Sequence, residues 1–243
     1  MNLIIDVGNT FVKLAVFEED RIIHKNTVKL VAVLDEIKTI NSKFNTTKKA
    51  ILSSVGKLNE TDMQFINQHF DVLLLNATTK LPFKNHYKTP KTIGVDRLAL
   101  VSASVKQFPK KNVLIIDAGT CITYDFINNN NEYLGGAISP GVQMRYKSLH
   151  NFTANLPLLV TDIPNNIIGN STEESIHSGV VFGVLNEIDG VIAHYKEKFS
   201  HLTVILTGGD SNFLSKQLKS SIFATSNFLL EGLNFILQFN SNE

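Results

Sequence analysis

Apolar and polar positions along the chain follow two different periods in turn. Alternating or continuous apolar runs predict β-strands at residues 3–5, 11–17, 21–28, 50–55 and 71–75. Between these runs, apolar side chains recur three or four positions apart, as at Leu34 and Ile37 or at Met63 and Ile66, which is typical of helices with one packed face. Strands that alternate with helices favour an α/β fold with a partly parallel sheet.

The first predicted strand ends in a carboxylate. Asp6 follows the apolar run at residues 3–5, and Gly8 permits a tight turn because it lacks a Cβ. Such a carboxylate beside exposed N–H groups suits a metal-bound polyphosphate. The turn can donate to phosphate oxygens, and the carboxylate can hold Mg²⁺ or its water shell. The alternative is a plain hairpin in which Asp6 and Asn9 only make the turn.

The same pattern returns 111 residues later. Residues 114–119, Leu-Ile-Ile-Asp-Ala-Gly, repeat the Leu-Ile-Ile-Asp-Val-Gly of the first strand and turn, and each copy is followed by another mostly apolar run. We therefore predict two related halves, residues 1–111 and 112–243, each beginning with a hairpin that presents an Asp. Two such halves facing each other would place Asp6 and Asp117 across one cleft.

Residues 76–93 interrupt the pattern of strands and helices. They contain Pro82, Pro90 and four lysines, so we predict a long loop, which in a compact domain is usually functional or mobile. The lysines could steer an anionic ligand, or the loop could simply be solvated. Asp96 and Arg97 then open a predicted helix. An acid in a first helical turn is favourable through the helix dipole alone, and Arg97 could pair with a neighbouring carboxylate.

Glycines and a long helix with an apolar face mark the second half. Residues 135–141, Gly-Gly-Ala-Ile-Ser-Pro-Gly, permit close approach of the backbone to a ligand, although a plain turn would use the same residues. Residues 171–174 have the Ser-x-x-Glu spacing of a capping box, and the helix that follows carries apolar residues over 176–199. The Thr-Gly-Gly-Asp at 207–210 follows a strand, as in many nucleotide-approaching turns and also in many ordinary ones.

Composition and charge exclude several classes of protein. The 243 residues suffice for one large domain or two of ordinary size. A net charge of +1 gives no electrostatic case for binding nucleic acid or a membrane. Cys121 is the only cysteine, so no intramolecular disulfide is expected. The opening apolar run meets Asp6 too early for a signal peptide, and no run reaches the roughly 18 apolar residues of a membrane span. We expect a soluble cytoplasmic protein.

Taken together, these stretches resemble the type III pantothenate kinases. That family belongs to the superfamily of actin, hexokinase and the heat-shock ATPases, in which two ribonuclease-H-like halves, built on duplicated mixed sheets flanked by helices, surround a nucleotide cleft. The match runs in order along the whole chain. Its motifs are Asp-x-Gly-Asn-Thr at 6–10, Tyr-x-x-Pro-x-x-x-Gly-x-Asp-Arg at 87–97, Asp-Ala-Gly-Thr at 117–120, Gly-Gly-x-Ile-x-Pro-Gly at 135–141, Thr-x-Glu-Ser at 172–175 and Thr-Gly-Gly-Asp at 207–210.

The motif at 87–97 is the specific one, while those at 6–10 and 117–120 are shared across the superfamily. Cys121 departs from the small residue, such as Ala, that the family pattern leads us to expect. The resemblance implies an ATP-dependent phosphotransferase with an alcohol acceptor, which converts pantothenate to 4′-phosphopantothenate in the first step of coenzyme A biosynthesis. It also implies a homodimer with the substrate site near the subunit interface.

The resemblance further assigns roles to individual residues. Eight consecutive residues would cradle the ATP phosphates: Asp6, Val7, Gly8, Asn9, Thr10, Phe11, Val12 and Lys13. Mg²⁺ would lie near Asp6, Thr120 would contact ATP, and Asp117 would help to hold a monovalent cation, K⁺ or NH₄⁺. Asp96 would be the general base. The pantothenate site would be lined by Tyr87, Gly94, Val95, Asp96, Arg97 and Thr172.

Three other functions remain as alternatives. A non-catalytic relative acting as a transcription accessory factor could keep the nucleotide cleft and lose the base, although Asp96 and Arg97 are both present. A sugar or acetate kinase of the same superfamily would be expected to lack the motif at 87–97. An actin-like ATPase that forms polymers should show sedimentation that depends on ATP.

Overall fold

The computed structural model describes residues 1–8, 11–54 and 58–241, which form two compact units. Unit 1 comprises Met1–Pro109, Asn131–Tyr133 and Asn227–Glu243, and unit 2 comprises Lys110–Asn130 and Leu134–Ser226. The C-terminal helix therefore belongs to the same unit as the N-terminal strands. The division into residues 1–111 and 112–243 stays a prediction.

Helices and strands are mixed along the chain, and two single-turn 3₁₀ helices lie at Leu30–Ala32 and Pro90–Thr92. The strands are β1 (Asn2–Val7), β2 (Phe11–Glu18), β3 (Arg21–Lys29), β4 (Lys49–Ser54), β5 (Asp71–Leu74), β6 (Lys84–Asn85), β7 (Val113–Ala118), β8 (Cys121–Ile127), β9 (Glu132–Pro140), β10 (Thr203–Thr207) and β11 (Phe223–Ala224). The helices are α1 (Val33–Lys43), α2 (Glu60–His69), α3 (Val95–Gln107), α4 (Val142–Asn151), α5 (Thr172–Lys198), α6 (Ser211–Ser215) and α7 (Phe228–Ser241).

The sheet of unit 1 has the strand order β3-β2-β1-β4-β5. Strand β1 pairs antiparallel with β2 and parallel with β4, and β4 pairs parallel with β5. In unit 2 the strands run in the order β11-β10-β7-β8-β9, where β7 is antiparallel to β8 and parallel to β10, and β10 is parallel to β11. Strands β1 and β7 thus each have the next strand of the chain as an antiparallel neighbour and a later strand as a parallel neighbour. The predicted α/β fold with duplicated mixed sheets is confirmed.

Strand β1 shows how the sequence distributes its side chains between the two faces of the first sheet. Leu3 and Ile5 pack in a core with helices α1 and α2, whereas Ile4 packs with Ala99 of α3 and with α7. Because successive side chains of a strand point to opposite faces, Asp6 lies on the same face as Ile4. The carboxylate therefore emerges on the side of the sheet that carries α3.

Helices α3 and α7 cross at very close range. A Cβ built on Gly232 of α7 would lie 1.9 Å from the carbonyl oxygen of Ala99 in α3, so no residue with a side chain fits there. Asn234 of α7 is buried and accepts a hydrogen bond from the Asn2 side chain of β1 at 2.9 Å. The C-terminal helix thereby fixes α3 against the sheet, and with it the first turn that contains Asp96.

Two features of the described residues were not expected from the sequence. Within the predicted loop at 76–93, the two-residue strand β6 pairs in parallel with Glu132 and Tyr133. Helix α5 is, among the residues that the structure describes, the one helix whose length and apolar composition would allow it to cross a membrane. Its residues Val184 and Ile188 are fully buried in the core of unit 2, which is the packing of a core helix in a soluble protein.

Candidate active site

The predicted phosphate hairpin is the β1–β2 hairpin. Asp6 is opposite Lys13 in the antiparallel register, and the Lys13 ammonium lies 4.0 Å from the Asp6 carboxylate. The Gly8 N–H donates to the carbonyl oxygen of Phe11 at 3.0 Å and closes the turn. The side chains of Val7 and Val12 are buried, whereas Phe11 and Lys13 are exposed. The predictions for Asn9 and Thr10 fall on residues outside the described ranges.

The Asp6 carboxyl has an unusual electrostatic environment. Burial raises the pKa of Asp6 to about 6, and the nearby negative charge of Asp96 pushes the pKa in the same direction. The positive charge of Lys13 and a hydrogen bond from Ser53, its neighbour in the sheet, oppose this shift without cancelling it. Asp6 and Asp96 are therefore close enough within unit 1 to feel each other's charge.

Asp96 lies in the first turn of α3, as predicted. Gly94 is the N-cap residue, and the Asp96 carboxylate accepts a hydrogen bond from the Arg97 backbone N–H at 2.8 Å. A Cβ on Gly94 would lie 2.3 Å from that carboxylate oxygen. Glycine at this position lets the Asp96 side chain fold back over the helix N-terminus, where the helix dipole favours a negative charge. Val95 is half-buried beside it.

Arg97 and Tyr87 form the next part of the site. Arg97 is almost fully buried, and its guanidinium carbon lies 5.5 Å from the centre of the Tyr87 ring. Tyr87 in turn stacks on the buried Tyr133, with ring planes 10° apart. Strand β6 brings Tyr87 to this position, because Tyr87 follows it by two residues and donates its N–H to Asn85 at 2.9 Å.

Unit 1 thus brings together two carboxylates, a lysine and an arginine stacked on a tyrosine. One carboxylate can take a proton from an acceptor hydroxyl, and a buried carboxylate at the end of a strand can coordinate a divalent cation. A guanidinium beside an aromatic ring can orient an anionic or polar substrate. This set of groups is what a phosphoryl transfer to an alcohol requires.

In unit 2, the second hairpin presents Asp117 and Thr120 at the turn between β7 and β8. Gly208 follows β10 with a φ of 95°, and a Cβ there would lie 2.4 Å from the Asp117 carboxylate. The turn after β10 is attached to the end of β7, because the Asp210 N–H donates to the carbonyl oxygen of Ala118 at 2.9 Å. Burial raises the pKa of Asp210. Two carboxylates are therefore held at the end of this sheet.

Thr172 also belongs to unit 2. It is the first residue of α5, after the predicted N-cap Ser171, whose hydroxyl accepts the Glu174 N–H at 3.2 Å. Thr172 and Arg145 line a cavity of about 920 Å³. Among the described residues, Asp117 and Thr120 do not line this cavity. No group of three or more histidine, cysteine or acidic side chains forms a metal site in the described ranges.

Three side chains in these sites were missed by the sequence reasoning. Ser53 hydrogen-bonds to Asp6, and the salt bridge between Arg145 and Glu187 joins α4 to α5. Glu187 had no distinct local signal, because Asn186 and Asp189 stand beside it in the same stretch of helix. The Ser53 pairing had no local signal, since it depends on which strand lies beside β1.

Comparisons with known proteins agree with the sequence motifs. The family profile described as type III pantothenate kinase matches residues 2–194. The chain is 52% identical over 243 residues to a type III pantothenate kinase of Christiangramia forsetii, covering 100% of both chains. It is 48% identical to that of Flavobacterium johnsoniae, covering 98% of each.

Solved structures with low sequence identity share the fold. A Campylobacter jejuni protein provisionally assigned as a Baf-family transcriptional activator aligns with a TM-score of 0.66 at 21% identity, covering 99% of this chain and 100% of that one. A ROK-family glucokinase of Streptomyces griseus aligns with a TM-score of 0.53 at 12% identity, covering 98% of both. At these identities the two alignments show that the chain shares the fold of these proteins.

Proposed function

The chain belongs to the type III pantothenate kinase family, and we propose that it phosphorylates pantothenate through the side chains gathered around Asp6 and Asp96. The family reaction transfers the γ-phosphate of ATP to the primary hydroxyl of pantothenate in the first step of coenzyme A biosynthesis. The strongest support for this assignment is the arrangement of the family-specific motif in unit 1. There the Arg97 N–H donates to Asp96, and the Arg97 guanidinium lies over the Tyr87 ring.

Asp96 is proposed as the general base. Its first oxygen accepts the Arg97 N–H, which fixes the carboxylate and leaves the second oxygen to accept the proton of the pantothenate hydroxyl. As that proton leaves, the hydroxyl oxygen forms a bond to the γ-phosphorus of ATP, the bond from that phosphorus to the oxygen bridging the β- and γ-phosphates breaks, and ADP leaves with the electron pair. Gly94, Val95, Arg97 and Tyr87 are proposed to hold pantothenate beside this carboxylate.

Residues 6–13 are proposed to hold the phosphates of ATP, with Lys13 providing positive charge. The family implies ATP and a divalent metal ion, and we propose Mg²⁺ at Asp6. The fit is supported by the burial of the Asp6 carboxyl and its raised pKa, because a cation would favour the ionised form and relieve the cost of burying it. When bound, Mg²⁺ would neutralise charge on the phosphate oxygens.

We also propose that Asp117 helps to hold K⁺ or NH₄⁺ and that Thr120 contacts ATP. Carboxylate oxygen suits a hard monovalent cation, and the Gly208 backbone packs closely against Asp117 at the end of the sheet. In this proposal, residues 1–111 carry the phosphate hairpin and the substrate motif. Residues 112–243 carry the second Asp hairpin and the helix used for dimerisation.

A homodimer is proposed because unit 2 exposes apolar side chains around helix α5. Between α4 and α5, six large apolar residues are more than half exposed: Phe152, Leu158, Val160, Ile163, Ile167 and Ile168. Monomeric soluble proteins rarely leave such a group in water. Thr172 adjoins this segment, so a partner subunit could complete the pantothenate site there. A location in the cytoplasm is proposed for the enzyme.

The proposed function is tested by supplying the purified protein with ATP, Mg²⁺, K⁺ and pantothenate and detecting the product by mass spectrometry. We expect 4′-phosphopantothenate and one ADP for each molecule formed. Glucose and acetate serve as control acceptors, and we expect no product from either. A protein that binds ATP but never phosphorylates pantothenate would refute the proposal in favour of a non-catalytic relative.

A further inference from the structure

One polar network in unit 2 connects α5 to the turn that carries Thr120. Its centre is Glu187, in the middle of α5, which accepts hydrogen bonds from three different elements. Tyr124 of β8 donates its hydroxyl at 2.8 Å, Ser139 of β9 donates at 3.1 Å, and the Arg145 guanidinium of α4 forms a salt bridge with the same carboxylate. Glu187 therefore joins two strands and one helix to α5.

The charge of Glu187 is maintained by these partners. Burial alone would raise the pKa of the Glu187 carboxyl, but the hydrogen bonds from Arg145, Tyr124 and Ser139 outweigh it and hold the pKa below its ordinary value. The carboxylate is therefore ionised at neutral pH. A charged acceptor with three donors makes stronger hydrogen bonds than a neutral one would.

Arg145 extends the network to the backbone of the Ser-Pro-Gly segment. Its Nε donates to the carbonyl oxygen of Pro140 at 3.0 Å, and its Nη2 donates to the Ser139 hydroxyl at 3.0 Å. The planar guanidinium thus holds two consecutive residues at once, which a lysine ammonium could not do with the same geometry. Glu187 keeps this guanidinium in place through the salt bridge.

Gly141, the next residue, lies directly against the turn between β7 and β8. Its N–H donates to the carbonyl oxygen of Thr120 at 3.1 Å. A Cβ on Gly141 would lie 2.1 Å from the carbonyl oxygen of Gly119 and 2.6 Å from that of Thr120, so the two backbones are in contact. Any displacement of Gly141 therefore moves or frees the Thr120 turn.

We propose that Glu187 is a positioning residue for nucleotide binding, which acts through Arg145 and Ser139 to hold Gly141 against the Thr120 turn. The inference rests on the proposed contact between Thr120 and ATP. It predicts that weakening the network lowers the affinity for ATP, while Asp96 and Arg97 of unit 1 keep their own geometry.

The test uses titration calorimetry of MgATP with the full-length protein and compares Glu187→Gln with the wild type. Gln has nearly the same size but is neutral, and its amide nitrogen cannot accept from Ser139 or Arg145. We expect the Kd for ATP to rise about threefold to tenfold. The kcat at saturating ATP and pantothenate should stay within about twofold of the wild type.

Two further variants make the result specific. Glu197→Gln removes an exposed acid from the same helix, where it lies 3.7 Å from His194, and should leave the Kd unchanged. Ser139→Ala keeps both charges and removes only the bridging hydroxyl, so it should fold and raise the Kd about twofold to threefold. If both Glu187→Gln and Ser139→Ala lower the melting temperature without changing the Kd for ATP, the network is only structural and the inference is wrong.

Calorimetry also separates this inference from the proposed function. A wild-type protein that binds ATP without phosphorylating pantothenate would refute the function, yet the effect of Glu187→Gln on the Kd would still decide the role of Glu187. A wild-type protein that does not bind MgATP would refute both the proposed function and the inference.

Discussion

Replacing Asp6 with Asn should make the protein more stable at neutral pH. The wild-type carboxyl is buried, lies near the negative charge of Asp96 and has a pKa of about 6 in the folded state. Asn has almost the same size and carries no charge. Ser53 can still hydrogen-bond to the amide oxygen. The substitution therefore removes a buried charge while it preserves the packing at the end of β1.

The magnitude follows from the difference in pKa between the folded and unfolded states. A rise from 3.8 to about 6 corresponds to a cost of about 3 kcal/mol in the free energy of unfolding at pH values above the folded pKa. Because the folded pKa is the higher one, the folded state binds the proton more tightly, and this cost disappears as the pH falls below about 4. Asp6→Asn should be free of the cost at every pH.

The assay is thermal unfolding without nucleotide, followed by circular dichroism at pH 7.5 and at pH 4.5. We expect Asp6→Asn to raise the melting temperature by about 6–12 °C at pH 7.5, and by about a third of that at pH 4.5. The same variant should lose phosphoryl transfer if Asp6 holds the metal ion. Asp71→Asn, which removes an exposed acid from the same unit, is the control and should change neither property.

Two results would refute this reasoning. One is an Asp6→Asn protein that is less stable than the wild type at pH 7.5. The other is a stability difference of equal size at both pH values, because a pH-independent difference cannot come from the titration of Asp6.

Three further predictions concern the cation, the assembly and helix α5. Replacing Na⁺ with K⁺ or NH₄⁺ at constant ionic strength should strongly stimulate phosphorylation, and Asp117→Asn should weaken that stimulation; equal rates in the three salts would contradict a cation site. Light scattering at micromolar concentration should give a mass of twice the 27.0 kDa chain, and a single species of 27.0 kDa would exclude the dimer. Ser171→Ala should cost about 1 kcal/mol of stability, seen as a lower melting temperature, because the Glu174 N–H loses its cap.

The parts of the fold that the sequence predicted are those with a local signal. The continuous apolar run at residues 3–5 predicted β1 and its end at Asp6, because a strand buried on both faces is apolar at every position. The repeated strand and Asp-x-Gly turn predicted a second sheet of the same kind, with Asp117 in the equivalent position. The Ser171 cap and the helical spacing after it predicted α5 and its first residue.

The parts that could not be predicted depend on contacts between distant segments. Nothing local indicates that Gly232 of helix α7 packs against Ala99 of α3. Strand β6 has two residues, which is too short for any period. Glu187 and Ser53 join the candidate sites only through neighbours far away in sequence, so no local pattern indicates their partners.

The central claim is that Asp96 is the general base of pantothenate phosphorylation, and Asp96→Asn tests it most directly. Asn still accepts the Arg97 N–H, so α3 should fold, but it cannot take a proton at neutral pH. We expect kcat to fall about 10²–10⁴-fold with the Kd for ATP unchanged. The control Asp35→Asn removes an exposed acid from the first turn of α1 and should keep full activity. An Asp96→Asn enzyme with wild-type kcat and only a lower melting temperature would contradict the account.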